Sequence, residues 1–532
     1  MARLAGRGPR PDGGPRTVRR GRAGRTPSAA RLPLLLAAVA LVLAVAGSWA
    51  PSMWADELAT AQTATSWDTL WETLRERDAV FLPYYLLMYV WSRAGTADWW
   101  LRLPSALAVA AATGLLADLG RRLGGVRAGT VAGAALLVLP AISRFGQEAR
   151  PYTLAVAAAV FSYWCLHRAL ETGRWGRYVL SVVLLPCTHL FAVLSLPAHL
   201  VVSRRCLPWL ALGSPVTLAV AAVSAGQVGQ VNWLEAPGWE NVVLVRSAIT
   251  GWQPQPEPGN LPAVLLGWAV ALAGLASAAV LLRRGNGDRP AAGTPTDDLA
   301  FDRSPAGTPT GHLALGRPSD GVLAARPAGG GVPAPRAFAA GLVVWGLLPM
   351  PVLVAVSHLV TPVYSSRYVL FAAPAFALLT GLGAARLPRA VLVAGLGVAV
   401  ALGARQQVLL RTEPGHQVSY RAAAEIVAAQ RRDGDRTVYV VPWARQGLTR
   451  YGAMPPERRS GDAAGERVWL VRSDFGRAVR PGTALPSRNG VAPAMVPKID
   501  ALLEERYTVT RTWPLRGVTV LLLERPARGG RR

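Results

Sequence analysis

Charged residues, lysine and cysteine are all scarce in this chain. Only 17% of its 532 residues are charged, against about 25% in an average soluble domain. Lysine occurs once, at Lys498, so almost all of the 57 basic residues are arginine, and they outnumber the 31 acidic residues. Hydrophobic residues make up 51% of the chain. This balance excludes a disordered chain and argues against a wholly water-soluble protein.

The three cysteines, Cys165, Cys187 and Cys206, lie in or beside apolar runs. None has the spacing of a metal-ligand set. We therefore expect small core residues rather than a metal centre or a disulfide framework.

The formal net charge of +26 allows three physical explanations. They are a nucleic-acid partner, an anionic membrane surface, or the cytoplasmic loops of a membrane protein. A GC-rich genome would also raise the arginine content, together with alanine, glycine and proline. The positions of the arginines must decide among these explanations.

The amino terminus combines a basic segment with an apolar one. Residues 1–31 carry nine arginines and one acid, cannot bury a core, and are expected to be disordered. The apolar run 32–47 follows, with Ala44, Ala46 and Ala50 as a candidate cleavage site of a signal peptide. Because many further apolar runs follow, we favour an uncleaved first membrane helix with a cytoplasmic amino terminus.

Apolar runs long enough to span a bilayer, about 17–25 residues each, recur along the chain. The run at 80–92 is shorter and rich in aromatics, which indicates an interfacial or re-entrant helix. The sequence thus predicts a polytopic α-helical membrane protein with eleven spans. They lie near residues 32–50, 99–119, 126–143, 150–170, 175–188, 189–203, 207–225, 260–282, 336–359, 366–386 and 388–406.

The arginines follow this topology. With the amino terminus in the cytoplasm, the inside connections are mainly basic, whereas the outside ones hold acids such as Asp56, Glu57, Glu235 and Glu240. This positive-inside bias supports a multi-pass protein of the cell membrane and makes nucleic acid a poor explanation of the charge. The inside arginines are Arg121, Arg122, Arg127, Arg168, Arg174, Arg177, Arg204, Arg205, Arg283, Arg284, Arg289, Arg386 and Arg389.

Two segments differ in composition from the apolar runs. Residues 284–335 are rich in Gly, Pro, Ala and Asp and predict a disordered cytoplasmic linker. Residues 407–532 predict a small extracytoplasmic α/β domain. Its expected helices are 420–432 and 499–507, and its expected strands are 437–441, 467–473 and 518–524.

An acidic pair, Asp56 and Glu57, follows the first span, in the outer segment 51–98. Adjacent carboxylates at a membrane surface could supply a general base or bind a cation. The alternative is a solvated loop, or a helix start whose positive end favours acids.

Residues 147–152 form a second polar cluster, between the third and fourth spans. Pro151 suits the first turn of a helix, so Glu148 and Arg150 would lie where the helix dipole and the guanidinium could hold an anion. A local Glu–Arg interaction or an arginine that snorkels would also explain the pattern.

Arg367 is an arginine on the acidic side of the predicted topology. At a helix start it could clamp a phosphate, although snorkelling is the alternative. His189, at the outer end of a span, is either a site residue or a packing residue, and we expect His199 and His358 to pack.

Taken in order, these segments resemble membrane glycosyltransferases of the GT-C fold. The nearest branch is that of protein O-mannosyltransferases, lipid A aminoarabinose transferases and bacterial mannosyltransferase-like proteins. The resemblance covers about residues 50–405. Besides the acidic pair it is carried by PYYLLMYVW, WLRLPSAL at 100–107, QEARPY at 147–152, THLFA at 188–192 and SRYVLFAAPAFALL at 366–379.

The resemblance implies that a sugar is transferred, with inversion, from a polyprenyl-phosphate carrier on the outer face. Asp56 would be the base and Glu57 its supporting neighbour, while Arg150 and Arg367 would hold the carrier phosphate. Glu148 would orient the arginines or contact the sugar. Further donor-binding or substrate-binding positions implied by the resemblance are Tyr84, Tyr152, His189 and Tyr368.

The chain departs from the family at one point. Relatives often have His-Pro-Pro before the aromatic stretch, where residues 77–84 here read RDAVFLPY. A histidine and a proline are lost, which puts the donor site or the acceptor choice in doubt. Asp78 is a candidate partial substitute.

The expected partners are a lipid-linked sugar donor, an acceptor that the sequence does not identify, and the bilayer, without nucleic acid. No cofactor is required if the arginines stabilise the leaving phosphate, although the acidic pair could bind a metal ion. A transporter or flippase of lipid-linked sugars is the main alternative. It is disfavoured because we find no repeat between the halves of the chain. A catalytically silent scaffold is a third possibility.

Overall fold

The computed structural model describes most of the chain. Most of the predicted basic tail, of the 284–335 linker and of the predicted helix 499–507 lies outside the described residues, but residues 27–31 of the tail are helical and not disordered. The described ranges are 27–227, 261–283, 335–452, 454–458, 466–473 and 507–525, with a few isolated positions between them.

Helices dominate the described residues, and four strands lie near the carboxyl end. Several short 3-10 helices connect the α-helices. The α-helices are α1 (Pro27–Val45), α2 (Ala55–Thr63), α3 (Trp67–Glu76), α4 (Leu82–Ser92), α5 (Asp98–Val138), α6 (Pro140–Gly146), α7 (Tyr152–Thr172), α8 (Gly176–Thr188), α9 (Leu196–Val202), α10 (Leu207–Ala225), α11 (Leu261–Arg283), α12 (Pro335–Leu347), α13 (Pro349–Leu359), α14 (Ala373–Ala384), α15 (Arg389–Leu409), α16 (Tyr420–Gln430) and α17 (Pro442–Tyr451).

The helices agree with a polytopic membrane protein. Within the described residues, seven helical segments are long and apolar enough to cross a bilayer, and four shorter apolar segments accompany them. Each of the eleven predicted spans coincides with apolar helix. The number of segments that cross, and their direction, remain predictions.

Helix α5 accounts for two of the predicted spans. Its 41 residues are interrupted at Gly125, whose φ of +85° is a left-handed conformation that side chains with a Cβ rarely adopt. The kink therefore lies between the predicted spans 99–119 and 126–143.

The outer segment between α1 and α5 folds into the three short helices α2, α3 and α4. Helix α4, preceded by the 3-10 turn Ala79–Phe81, matches the short helix predicted at 80–92. With 11 residues it is about 16 Å long at 1.5 Å per residue, so it cannot cross a bilayer about 30 Å thick.

The carboxyl-terminal domain contains a four-stranded sheet in the order β1-β2-β4-β3. Strands β1 (Arg436–Tyr439), β2 (Arg467–Ser473) and β4 (Val518–Glu524) match the predicted strands. β1 and β2 are parallel, whereas β4 is antiparallel to both of its neighbours. β3 (Thr508–Leu515) was not predicted, because this edge strand contains Pro514 and a register shift at 509–511 that interrupt a strand pattern.

Two large hydrophobic cores and a smaller one around Leu353 hold the described residues together. One lies among the apolar helices and includes Cys165 and Cys206, which are buried, while Cys187 is half-buried and all three are free. The second joins the outer segment to the carboxyl-terminal domain, for example through Leu58 and Trp469. The outer helices and the small domain therefore share one core.

Candidate active site

Asp56 lies between two arginines that are distant in the sequence. Its Oδ2 atom is 3.5 Å from Nη2 of Arg367 and 3.8 Å from Nε of Arg150, and it accepts a 3.5 Å hydrogen bond from the Tyr152 hydroxyl. The Asp56 side chain is 26% exposed, whereas those of Arg150 and Arg367 are 8% and 18% exposed. The structure thus brings three of the predicted segments together around a carboxylate that a ligand can reach.

Each of these three groups lies at or near the beginning of a helix. Asp56 is in the first turn of α2, and Arg150 directly precedes Pro151 at the amino end of α7. Arg367 is the second residue of the 3-10 helix Ser366–Ala372, which leads into α14. Unpaired backbone N–H groups give such ends a partial positive charge. Together with two guanidinium groups against one carboxylate, they make the site suited to an anion.

Aromatic rings support both guanidinium groups. Arg150 lies 5.0 Å from the centroid of Phe81 and 5.8 Å from that of Tyr152. Arg367 lies 5.3 Å from Trp54 and 5.9 Å from the same Tyr152. Cation–π contacts of this kind hold a guanidinium in place without neutralising its charge, so the arginines remain able to attract an anion.

His189 completes an aromatic wall beside the arginines. Its ring lies 5.2 Å from Tyr368, 6.1 Å from Tyr152 and 6.1 Å from Phe81. The side chain is buried, yet neither ring nitrogen has a hydrogen-bond partner among the described residues. Because buried polar atoms are normally paired, this imidazole is suited to bind a polar ligand.

Glu57 occupies a different place from its neighbour Asp56, although the sequence grouped them as one catalytic pair. It is fully buried, and its carboxylate accepts hydrogen bonds from Arg102 Nε and Nη2 at 2.7 and 2.8 Å and from the Ala149 backbone N–H at 2.9 Å. His416 Nδ1 lies 3.4 Å away. Consecutive residues of an α-helix point about 100° apart, so Asp56 faces the open site while Glu57 faces the core.

The charges around Glu57 determine its ionisation. Burial opposes the charged form, but Arg102 and His416 outweigh it and hold the pKa of Glu57 well below its ordinary range. Burial, with help from Arg144 and Arg102, lowers the pKa of His416. A neutral His416 therefore donates to an ionised Glu57, which links α2 to the carboxyl-terminal domain.

Glu148 also lies away from the open site. It is fully buried and pairs with Arg144 rather than with Arg150. Burial raises the pKa of Glu148 to about 7, and Arg144 offsets this only in part. The Glu148 carboxylate thus pairs with Arg144, and its expected role, to orient Arg150 and Arg367 or to contact the sugar, stays a prediction.

Tyr84 and its neighbour Tyr85 have separate surroundings. Tyr84 is buried, with its ring 5.7 Å from that of Tyr85, and its expected role in binding the donor or substrate stays a prediction. Tyr85 instead accepts a 3.4 Å hydrogen bond from Arg150 Nη1. Sequence reasoning missed Tyr85 together with Phe81 and Trp54, although the aromatic richness of residues 81–91 was a usable signal.

The described residues contain no cluster of three or more His, Cys, Asp or Glu side chains arranged to hold a metal ion. The residues that gather at the outer segment are instead arginines and aromatics around Asp56. These features define a candidate anion site beside one partly exposed carboxylate.

Comparisons with known proteins found one matching family model and several similar solved structures. Residues 78–222 match the family model described as dolichyl-phosphate-mannose-protein mannosyltransferase. No curated protein matches the sequence. Among solved structures, the chain is similar to ArnT from Cupriavidus metallidurans, both in the apo state and bound to undecaprenyl phosphate. Each has 15% identity and a TM-score of 0.47 over 93% of this chain and 98% of that one.

A third solved structure is more distant. The arabinosyltransferase EmbB from Mycobacterium smegmatis has 19% identity and a TM-score of 0.38, over 69% of this chain and 32% of that one. The family model covers the segment that carries Tyr84, Arg150 and His189, but not Asp56 or Arg367. Over residues 78–222, the family match thus confirms the resemblance to membrane glycosyltransferases of the GT-C fold.

Proposed function

We propose that this membrane protein transfers a sugar, mannose or another hexose, from a polyprenyl-phosphate donor to an acceptor hydroxyl. The observation that carries the proposal is the position of the accessible Asp56 carboxylate, within 4 Å of the guanidinium groups of Arg150 and Arg367. The family description supports the donor class, since it names a polyprenyl-phosphate mannose as the substrate of related proteins.

In this mechanism the donor phosphate binds to Arg150 and Arg367. Asp56 takes the proton of the acceptor hydroxyl as its oxygen attacks the anomeric carbon from the side opposite the phosphate. The bond from that carbon to the phosphate oxygen breaks, the configuration inverts, and the polyprenyl phosphate leaves with the bonding electrons. Two positioned guanidinium groups stabilise the negative charge that develops on this leaving group, so the transfer needs no metal ion.

The aromatic wall would hold the sugar. His189 has two buried ring nitrogens without partners among the described residues, and these suit the hydroxyl groups of a hexose. Tyr152 and Tyr368 flank it and would cover the apolar face of the ring. We therefore assign these three residues to binding the sugar of the donor, beside the arginines that bind its phosphate.

The orientation in the membrane forms part of the same proposal. We place the amino terminus in the cytoplasm, and Asp56 with the carboxyl-terminal domain outside it. The arginine-rich inside turns support this arrangement, as does the core shared by the outer segment and the small domain.

The test is transfer from radiolabelled mannosyl-phospho-undecaprenol in membranes that contain the protein. Asp56→Asn should lower the release of undecaprenyl phosphate about 10²–10⁴-fold, the usual contribution of a general base, without weakening donor binding. Asp68→Asn is the matched control, because Asp68 is an exposed acid in the same outer segment. Unchanged release in Asp56→Asn would contradict the proposal. Movement of the labelled lipid across proteoliposomes without bond cleavage would instead support a transporter.

A further inference from the structure

A buried hydroxyl connects Asp78 to Arg150. The Tyr85 hydroxyl donates to Asp78 Oδ2 at 3.0 Å and accepts from Arg150 Nη1 at 3.4 Å. Tyr85 is fully buried, so water does not compete for its hydroxyl. A carboxylate outside the immediate site therefore reaches one of the two guanidinium groups through a single side chain.

The chemistry of a phenol gives this connection a direction. A tyrosine hydroxyl has one proton to donate and lone pairs with which to accept. Because the Tyr85 proton is engaged by Asp78, the lone pairs are left to face Arg150. Without the Asp78 carboxylate, the Tyr85 hydroxyl could rotate until its proton points at the Arg150 guanidinium. Two hydrogen-bond donors would then face each other.

The backbone that carries Asp78 is itself held in place. Gln227, just after α10, donates from Nε2 to the carbonyl oxygens of Leu74 and Arg75 at 2.9 and 3.1 Å. Its Oε1 atom accepts from the backbone N–H of Ala79 at 2.7 Å. The turn that contains Asp78 is therefore fixed on both sides by one amide side chain.

The same turn supplies the aromatic support of Arg150. Phe81 lies three residues after Asp78, and its ring carries the Arg150 guanidinium at 5.0 Å. The short segment from Asp78 to Phe81 thus supports Arg150 in two ways: through the ring of Phe81, and through the hydrogen bonds that join Asp78, Tyr85 and Arg150. Such double support suits an arginine that must meet a planar or tetrahedral anion in a fixed orientation.

We propose that Asp78 is a positioning residue that orients Arg150 toward the donor phosphate by fixing the Tyr85 hydroxyl. This inference rests on the proposed function, since it assigns Arg150 to the phosphate. It predicts an effect on phosphate affinity, because Asp78 acts on the arginine and not on Asp56.

The experiment measures the Kd of undecaprenyl phosphate for the full chain in detergent. Asp78→Ala and Tyr85→Phe should each weaken binding roughly tenfold, the value of one hydrogen bond to a charged group. The double variant should bind at most about twofold more weakly than whichever single variant has the lower affinity. The reason is that both substitutions interrupt the same series of hydrogen bonds, from Asp78 through Tyr85 to Arg150. Asp78→Asn keeps an acceptor oxygen and should restore most of the affinity.

Glu72→Ala is the matched control, since Glu72 is an exposed acid on the neighbouring helix α3, and it should bind like the unmodified protein. Wild-type affinity in Asp78→Ala, additive losses in the double variant, or an equal loss in Glu72→Ala would each overturn the inference. If Asp78→Ala does not fold, Tyr85→Phe and Asp78→Asn carry the same comparison. Failure of the unmodified protein to bind undecaprenyl phosphate would overturn the proposed function as well, whereas the preceding outcomes leave that function standing.

Discussion

Replacing Glu57 by glutamine separates a structural role from a chemical one. The Glu57 carboxylate accepts two hydrogen bonds from Arg102 and one from the Ala149 backbone, and both charged side chains are buried to 99% or more. Glu57→Gln leaves the Arg102 guanidinium buried without its counter-ion and sets an amide N–H group against it. Removing one partner of a buried ion pair costs about 3–5 kcal/mol, on the order of a 3–5 °C fall in melting temperature for a chain of this length.

The assay is thermal unfolding in detergent, combined with sugar transfer per folded molecule. We expect Glu57→Gln to unfold earlier, yet to lose less transfer than Asp56→Asn. Arg102→Met combined with Glu57→Gln should be more stable than the sum of the two single changes implies. The double variant should regain only part of the lost stability, because Arg102 also donates to the carbonyls of Ser48 and Pro51. An unchanged melting temperature, or a stable variant as inactive as Asp56→Asn, would refute the structural role.

Three further predictions follow from named contacts. Arg367→Lys should weaken binding of undecaprenyl phosphate roughly tenfold in a binding titration, because an ammonium lacks the fork that meets a phosphate with two hydrogen bonds. The raised pKa of Glu148, about 7 against an ordinary 4.5, means that stability should fall as the pH rises from 4.5 to 7. In thermal unfolding measured between pH 4.5 and 7, Glu148→Gln should therefore make the melting temperature less dependent on pH. Asp98→Ala removes the acceptor of Arg450 and Tyr451, and proteolysis should release the carboxyl-terminal domain faster.

The sequence predicted the membrane helices well because their signal is local. A bilayer demands a continuous apolar run in each span, so each of the eleven predicted runs contains apolar helix among its described residues. Gly125 shows the limit of that signal. It separates two runs, but only the structure shows that they form one interrupted helix, α5.

The site could be predicted only in part, because its assembly depends on distant contacts. Arginines at unusual topological positions pointed to Arg150 and Arg367, and both lie within 4 Å of Asp56. The partners of Glu57 and Glu148 could not be predicted. Arg102, the partner of Glu57, lies inside an apolar run. The amino-acid sequence alone does not show which face of that helix packs against the core.

The carboxyl-terminal domain helps to position the site, although the sequence suggested no role for it. Asp98 receives hydrogen bonds from Arg450 and Tyr451 at 2.8 and 2.6 Å, which ties the domain to the start of α5. His416 reaches Glu57, and Glu57 in turn accepts the N–H of the residue just before Arg150. Because the contacts of Glu57 with His416 and Ala149 are buried, a shift of the domain would move the backbone on both sides of the Asp56–Arg150 contact. Through these contacts the domain contributes to the geometry of the candidate site.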